Sequence, residues 1–150
     1  MKDYQICSNI NVMGAVVKTF PMGIGEAFEN LIRNVPGGFS RNYYGIGECK
    51  DGKIVYIAGA EEKSPGEANE LGLDHFTIEK GNYLAEEVLD WRTKTNCIKD
   101  VFEEMYKDER ADRSAPSIEI YVDDKKMLCL VRVKSEKERA SMSESITTNN

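Results

Sequence analysis

The stretch Gly47-Glu48-Cys49-Lys50-Asp51-Gly52-Lys53-Ile54-Val55-Tyr56-Ile57-Ala58 reads as the middle of a hairpin. It returns 73 residues later as Ile120-Tyr121-Val122-Asp123-Asp124-Lys125-Lys126-Met127-Leu128-Cys129-Leu130-Val131. In both stretches a charged tetrad, Lys50-Asp51-Gly52-Lys53 or Asp123-Asp124-Lys125-Lys126, joins two apolar or alternating runs. Polar turn residues between such runs are the sequence mark of a β-hairpin. Working outward, each hairpin is preceded by a helical pattern and each helix by a strand pattern. Ile24, Phe28, Leu31, Ile32 and Val35 recur at helical spacing, as do Ile98, Val101, Phe102, Met105 and Tyr106. The expected fold is α+β, a β-α-β-β unit present twice. Two copies of one unit create a seam between them, and ligands bind preferentially at such junctions.

The rest of the chain fits around these units. Residues 10–20 read as one strand or a strand pair broken at Gly14, and Pro21-Met22-Gly23 turns into a helix over 24–35 that Pro36-Gly37-Gly38 stops. Strands are expected at 43–49 and 53–60, and residues 61–72, with Pro65, Gly66 and Gly72, read as the connector. Strands at 76–78 and 83–89 flank a Lys80-Gly81-Asn82 turn, a helix covers 95–106, and 108–116 is a polar return loop. Strands at 118–122 and 127–133 close the second hairpin. One domain is expected over residues 1–133, with halves at about 8–62 and 73–133 and a polar, disordered tail over 134–150.

Composition narrows the function. The 150 residues suffice to bury a core, and 41% hydrophobic with 31% charged residues is ordinary for a globular protein. No apolar run approaches the roughly 20 residues of a membrane helix, and the first residues lack the apolar stretch of a secretory signal, so a cytoplasmic location is expected. The net charge is −6, and Lys and Arg are scattered without a basic stripe, which argues against direct nucleic-acid binding. Cys7, Cys49, Cys97 and Cys129 are far apart, with His75 the single histidine, so neither a metal site nor a resident cofactor is expected. Free thiols follow from the cytoplasmic reading. Cys129, alternating with Leu128 and Leu130, is expected to fill core volume.

The chemistry gathers on one strand. In Ser117-Ile118-Glu119-Ile120-Tyr121-Val122 the period of two puts Ile118, Ile120 and Val122 on one face, Glu119 and Tyr121 on the other. Glu119 could lie on a solvated face. The neighbouring strand, however, is apolar on both faces, as in a sheet covered on both sides. A carboxylate on a covered face needs a partner, and sequence neighbours supply no obvious cation, which makes an external cation a candidate. The pattern alone leaves both readings open. Tyr44, Tyr56, Tyr83, Trp91, Phe102 and Tyr121 fall mostly on elements that flank the seam. Rings around a carboxylate suit an aromatic or apolar cation through stacking and cation–π attraction, about 0.5–2 kcal/mol per contact.

Four passages carry a family resemblance: Lys53-Ile54-Val55-Tyr56-Ile57-Ala58-Gly59, Lys80-Gly81-Asn82-Tyr83-Leu84-Ala85, Ile98-Lys99-Asp100-Val101-Phe102 and Pro116-Ser117-Ile118-Glu119-Ile120-Tyr121. In order and spacing the chain resembles the GyrI-like, or AraC-type effector-binding, small-molecule-binding domains over about residues 8–133. The resemblance implies a duplicated fold with pseudo-two-fold symmetry, a central antiparallel sheet, two helices on one face and a ligand cleft along the seam. It implies that Glu119 matches the family's key acidic residue, which often binds hydrophobic cations among aromatic rings. Of the aromatic positions, Tyr121 carries over most firmly. The chain looks like a stand-alone version without a preceding DNA-binding domain, similar to free-standing members that sequester toxins or drugs, some carried on mobile gene cassettes.

The expected function is non-catalytic binding of a small hydrophobic cation, drug-like or toxin-like, by a monomer or homodimer. The ligand-binding set is Glu119, Tyr121, Tyr44, Tyr56, Tyr83, Trp91 and Phe102, with no catalytic residue. Two alternatives stand beside it. One is a hydrolase of the same fold, with Glu119 as general base and Tyr121 as positioning donor. The other is a module that modulates a partner protein through an acidic surface such as Glu61-Glu62 and Glu67–Glu70. Since the tail has no apolar periodicity to bury, deleting residues 136–150 should leave the melting temperature within a few degrees. A large drop in a thermal melt would mean that the tail packs on the fold.

Overall fold

The structure, a computed structural model, describes residues 1–135; the expected tail beyond Ser135 lies outside the described residues. In chain order the elements are β1 (Lys2–Ile6), β2 (Ile10–Val16), α1 (Ile24–Asn34), β3 (Tyr43–Lys50), β4 (Lys53–Glu61), α2 (Glu67–Glu70), β5 (Asp74–Ile78), β6 (Gly81–Leu89), α3 (Ile98–Met105), β7 (Ser117–Tyr121) and β8 (Lys126–Arg132). The fold is α+β, with all eight strands in one antiparallel sheet in the order β1-β6-β8-β7-β3-β4-β2-β5.

Two short links shape this sheet. Strand β1 is six strand positions from β2, and β5 is six from β6, or roughly 29 Å in a flat sheet. Yet only Cys7, Ser8 and Asn9 separate Ile6 from Ile10, which reach about 14 Å when extended, and only Glu79 and Lys80 separate Ile78 from Gly81. The sheet must curl until its margins approach each other. Ile6 pairs with Gly81, Ile10 pairs with Ile78, and the Lys80 amide donates to Asn9 Oδ1 at 2.8 Å across the two links.

Curling separates two faces. The concave face carries one buried cluster of Val12, Tyr44, Ile46, Ile57, Ile78, Tyr83, Ile118 and Leu130. The convex face carries the helices: α1 covers Met13, Tyr43, Tyr56, Ala58 and Ala60, and α3 covers Leu84, Val88, Met127, Cys129 and Val131. Strand β8 is thus covered on both sides, as its doubly apolar sequence requires. Cys129 is fully buried in it, and all four cysteines are free thiols.

The first hairpin closes on Asp51 and Gly52, both at positive φ, the conformation a two-residue turn matched to strand twist needs. The second has a longer loop, in which Asp123 Oδ1 accepts the Lys125 and Lys126 amides. Several expectations are corrected. Strand β1 was not foreseen, because a polar edge strand with only Tyr4 and Ile6 turned inward has little hydrophobic signal. The expected Lys80-Gly81-Asn82 turn is shorter, since β6 already begins at Gly81, and the strands it joins do not pair with each other: β5 pairs with β2, and β6 with β1 and β8. The second helix starts at Ile98, its expected first turn being a 3-10 turn over Thr95–Cys97. Among the described residues no helix is long and apolar enough to cross a membrane.

Gly14 does not break β2; the strand runs through it opposite Gly59. A Cβ there would meet the Ala58 carbonyl oxygen and the Gly59 Cα, backbone atoms that cannot swing away. Gly14→Ala should therefore cost about 1–3 kcal/mol, the range for overpacking, and lower Tm by about 2–4 °C per kcal/mol. An unchanged melt would show that the strands part without cost.

Candidate functional site

Strands β3 and β7 meet in the middle of the sheet, Gly45 opposite Glu119 and Tyr43 opposite Tyr121. Residues directly opposite share a face, so Gly45, Glu119, Tyr121 and, through β4 and β8, Ala58 and Cys129 all point to the helix side. Glu119 is only 9% exposed. Tyr56 donates its hydroxyl to Glu119 Oε1 at 2.5 Å, Tyr121 donates to the same oxygen at 2.6 Å, and the two hydroxyls are 3.1 Å apart. Among the described residues Oε2 accepts no hydrogen bond, and no Lys, Arg or His lies within ion-pair distance of the carboxylate.

Gly45 makes this arrangement possible. A Cβ at that position would fall against Tyr56 Oη and Glu119 Oε1, so the smallest residue leaves the volume the carboxylate and hydroxyl occupy. The rings then close over the triad. Phe20 stacks parallel on Tyr56 with centroids 5.2 Å apart, and Phe28 and Trp91 meet Tyr121 edge-on at 4.8 and 4.9 Å. Trp91 is held from outside: its Nε1 donates to the Asp123 carbonyl at 3.0 Å, and Arg92, paired with Asp124, lies over the indole.

Burial pushes the Glu119 carboxyl above the ordinary carboxylate range, and the hydrogen bonds from Tyr121 and Tyr56 pull it partly back. Burial likewise drives both tyrosines well above the usual phenol range, with the Glu119 charge adding to it. The hydroxyls therefore remain neutral donors, and the carboxyl is the member of the triad that carries the charge.

Of the residues singled out in the sequence, Glu119, Tyr121, Tyr56 and Trp91 come together here. Phe102 packs in the same cluster as Trp91 and Tyr121. Tyr44 and Tyr83 do not join them; both lie in the concave-face cluster, because their strand positions have the opposite parity. Phe20, Phe28 and Gly45 complete the site without having been singled out for it. Two signals point to Gly45 and Phe28: the glycines of Tyr43-Tyr44-Gly45-Ile46-Gly47 fall at alternate positions facing Glu119's side, and Phe28 lies on the apolar stripe of α1.

The site is shut. Tyr56 is 3% exposed, and two surface cavities, of about 410 and 700 Å³, are lined by other residues.

No protein-family model matches the chain, and no curated protein matches it in sequence. Solved structures do match in fold. An integron cassette protein from the mobile metagenome of Vibrio cholerae superposes with a TM-score of 0.62 at 13% identity, covering 89% of this chain and 95% of the other. SAV2435, solved bound to tetraphenylphosphonium, superposes with a TM-score of 0.66 at 14% identity, covering 91% and 95%. A candidate bacterial transcription regulation protein from Staphylococcus aureus MU50 superposes with a TM-score of 0.60 at 14% identity, covering 89% and 97%.

The raised carboxyl sets a pH signature for stability. The folded chain keeps the Glu119 proton to higher pH than the unfolded chain, so stability falls as pH rises from the ordinary carboxylate value near 4.5 through the raised one. Glu119→Gln removes that charge while keeping an oxygen for the two hydroxyls. It should raise Tm at pH 8, by an amount equivalent to about 1 kcal/mol or more, and the gain should shrink toward pH 4. A gain independent of pH in paired melts would show that the carboxyl does not titrate there. The superpositions show that the chain shares the fold of these three proteins.

Proposed function

We propose that this chain binds small hydrophobic cations, without converting them, at Glu119 in the seam between β3 and β7. The observation that carries the reading is the buried carboxylate itself, with one oxygen held by two hydroxyls and, among the described residues, the other unbonded and no cation beside it. A bound monocation would supply the missing charge. At 4 Å and an effective dielectric near 20 the attraction is about 4 kcal/mol, less the desolvation of both charges. Phe20, Phe28 and Trp91 supply apolar and cation–π contacts once they move aside to admit the ligand. SAV2435, which shares the fold, was solved with tetraphenylphosphonium, a cation of this chemical class.

The seam has a further origin in this reading: the chain is one domain, residues 1–133, built of two copies of a strand-helix-strand-strand unit. The sheet order supports this, since β2-β4-β3 on one side meets β7-β8-β6 on the other. Strand β4 begins at Lys53 and β8 at Lys126, the 73-residue interval of the sequence match. Failure of residues 10–61 to superpose on 83–134 would remove the duplication without touching the site.

A raised carboxyl beside two hydroxyls also equips a general base, which supports a hydrolase as the alternative. Turnover of an aryl ester that disappears in Glu119→Gln would establish it.

The binding test compares tetraphenylphosphonium with the neutral triphenylphosphine oxide by calorimetry. Glu119→Gln should weaken the cation by roughly ten- to a hundredfold, about 1.4–2.8 kcal/mol, and leave the neutral compound unchanged. Trp91→Ala should weaken both. Cation affinity in the parent protein should rise with pH, since the cation competes with the Glu119 proton. Equal losses for both ligands in Glu119→Gln would make the carboxylate structural, and unchanged affinity would place binding elsewhere.

A further inference from the structure

The concave face has a binding site of its own. A cavity of about 700 Å³ opens there, within the size range of small-molecule pockets. Its apolar wall is Ile46, Ile78, Ile118 and Phe76, and Ala115 and Pro116 of the loop before β7 form its far lip. Ile118 and Ile46 neighbour Glu119 and Gly45 in the chain but point the other way, so the sheet itself separates this cavity from the buried carboxylate.

One cation is built into its mouth. Arg132 pairs across the sheet with Tyr83, and its guanidinium packs 5.6 Å from that ring. Its Nη1 donates to Tyr83 Oη at 3.1 Å and lies 3.8 Å from Glu79 Oε2, while the Tyr83 hydroxyl donates to the Glu79 carbonyl. Against the other side stands Gly81, at φ 147°, where a Cβ would press on the guanidinium. The group is therefore fixed through one nitrogen. Among the described residues its Nε and Nη2 have no hydrogen-bond partner. A planar guanidinium held at one end, with its other two nitrogens unbonded among the described residues, matches a carboxylate, which takes two parallel N–H donors.

Charge at the rim limits the ligand further. Glu48, Glu79 and Asp112 line the same cavity as Arg132 and Lys134. Asp112 is already engaged, accepting Ser114's amide and hydroxyl, and Glu79 reaches only the Nη1 end. Three carboxylates repel a dianion more than a monoanion, so phosphate monoesters fit poorly.

We infer that the concave face binds a monoanionic amphiphile, a carboxylate on an apolar or aromatic body, with the carboxylate on Arg132 and the body over Ile46, Ile78, Ile118 and Phe76. This site is independent of the cation site, and its ligand has the opposite charge.

The probe is 2-naphthoate, with 2-naphthamide as its uncharged match, titrated into the full chain by calorimetry and by amide chemical shifts. Naphthoate should bind saturably, shifting the amides of Thr77, Tyr83 and Ala115. Arg132→Gln should weaken naphthoate about tenfold and leave naphthamide unchanged. Ala115→Trp, a loop substitution that fills the cavity without altering a strand, should abolish binding of both. Glu119→Gln should leave naphthoate affinity as it is, which separates this site from the proposed function. Non-saturable binding, equal losses of both probes in Arg132→Gln, or full affinity in Ala115→Trp would each overturn the inference.

Discussion

The structure depends on two links too short for a flat sheet. Three residues between Ile6 and Ile10, and two between Ile78 and Gly81, bridge elements six strand positions apart. Chain connectivity therefore demands curvature, and curvature decides what each face can be. The concave side gathers side chains from all eight strands into one cluster, with β1 and β5 at the margins contributing Ile6 and Ile78. The convex side cannot cover itself and takes two amphipathic helices. The paired glycines Gly14 and Gly59 belong to the same requirement, since the strands approach there too closely for a Cβ.

With both faces covered, the alternation along β7 has consequences that a half-solvated sheet would avoid. Ile118 and Ile120 go to the concave side, and Glu119 and Tyr121 must go under the helices. A carboxylate there loses hydration worth several kcal/mol and regains part of it from two phenolic donors. The donors are themselves fixed by ring contacts with Phe20, Phe28 and Trp91. Hydroxyls suit this task because they satisfy the charge without cancelling it, so the potential at Oε2 stays negative. The low-dielectric surroundings that raise the carboxyl's affinity for a proton also strengthen its attraction to any positive charge placed beside it.

Much of this was legible in the sequence. The helix over 24–35, both hairpins and the doubly covered β8 follow from periodicity, and Glu119 stands out as a carboxylate on a strand whose partner is apolar on both faces. What was not legible depends on contacts distant in sequence. The edge strand β1 gains its stability from pairing with β6, about 80 residues away, which polar Lys2 and Asp3 do not advertise. The crossover between β5 and β6 looks like a hairpin locally, since Gly81 between two short strands is what a turn also requires. Tyr44 and Tyr83 were placed at the seam because face assignment needs the register of every intervening strand, and one residue of offset reverses it.

The same parity explains why, among the described residues, Glu119 has no Lys or Arg partner, in a chain with 20 of them. On its side of the sheet, β3 presents Tyr43, Gly45 and Gly47, β4 presents Tyr56, Ala58 and Ala60, and β8 presents Met127, Cys129 and Val131. None is a cation. Arg132, at the end of the same strand, has the other parity and faces the concave cavity. A one-residue slip of β8 would turn it to the carboxylate's side, but it would also move Leu128 and Leu130 out of the concave core and Cys129 out of the convex one. Hydrophobic burial on two faces thus fixes the register, and the register holds the protein's own guanidinium away from the carboxylate. Among the described residues the charge on Glu119 is left with hydroxyl donors alone.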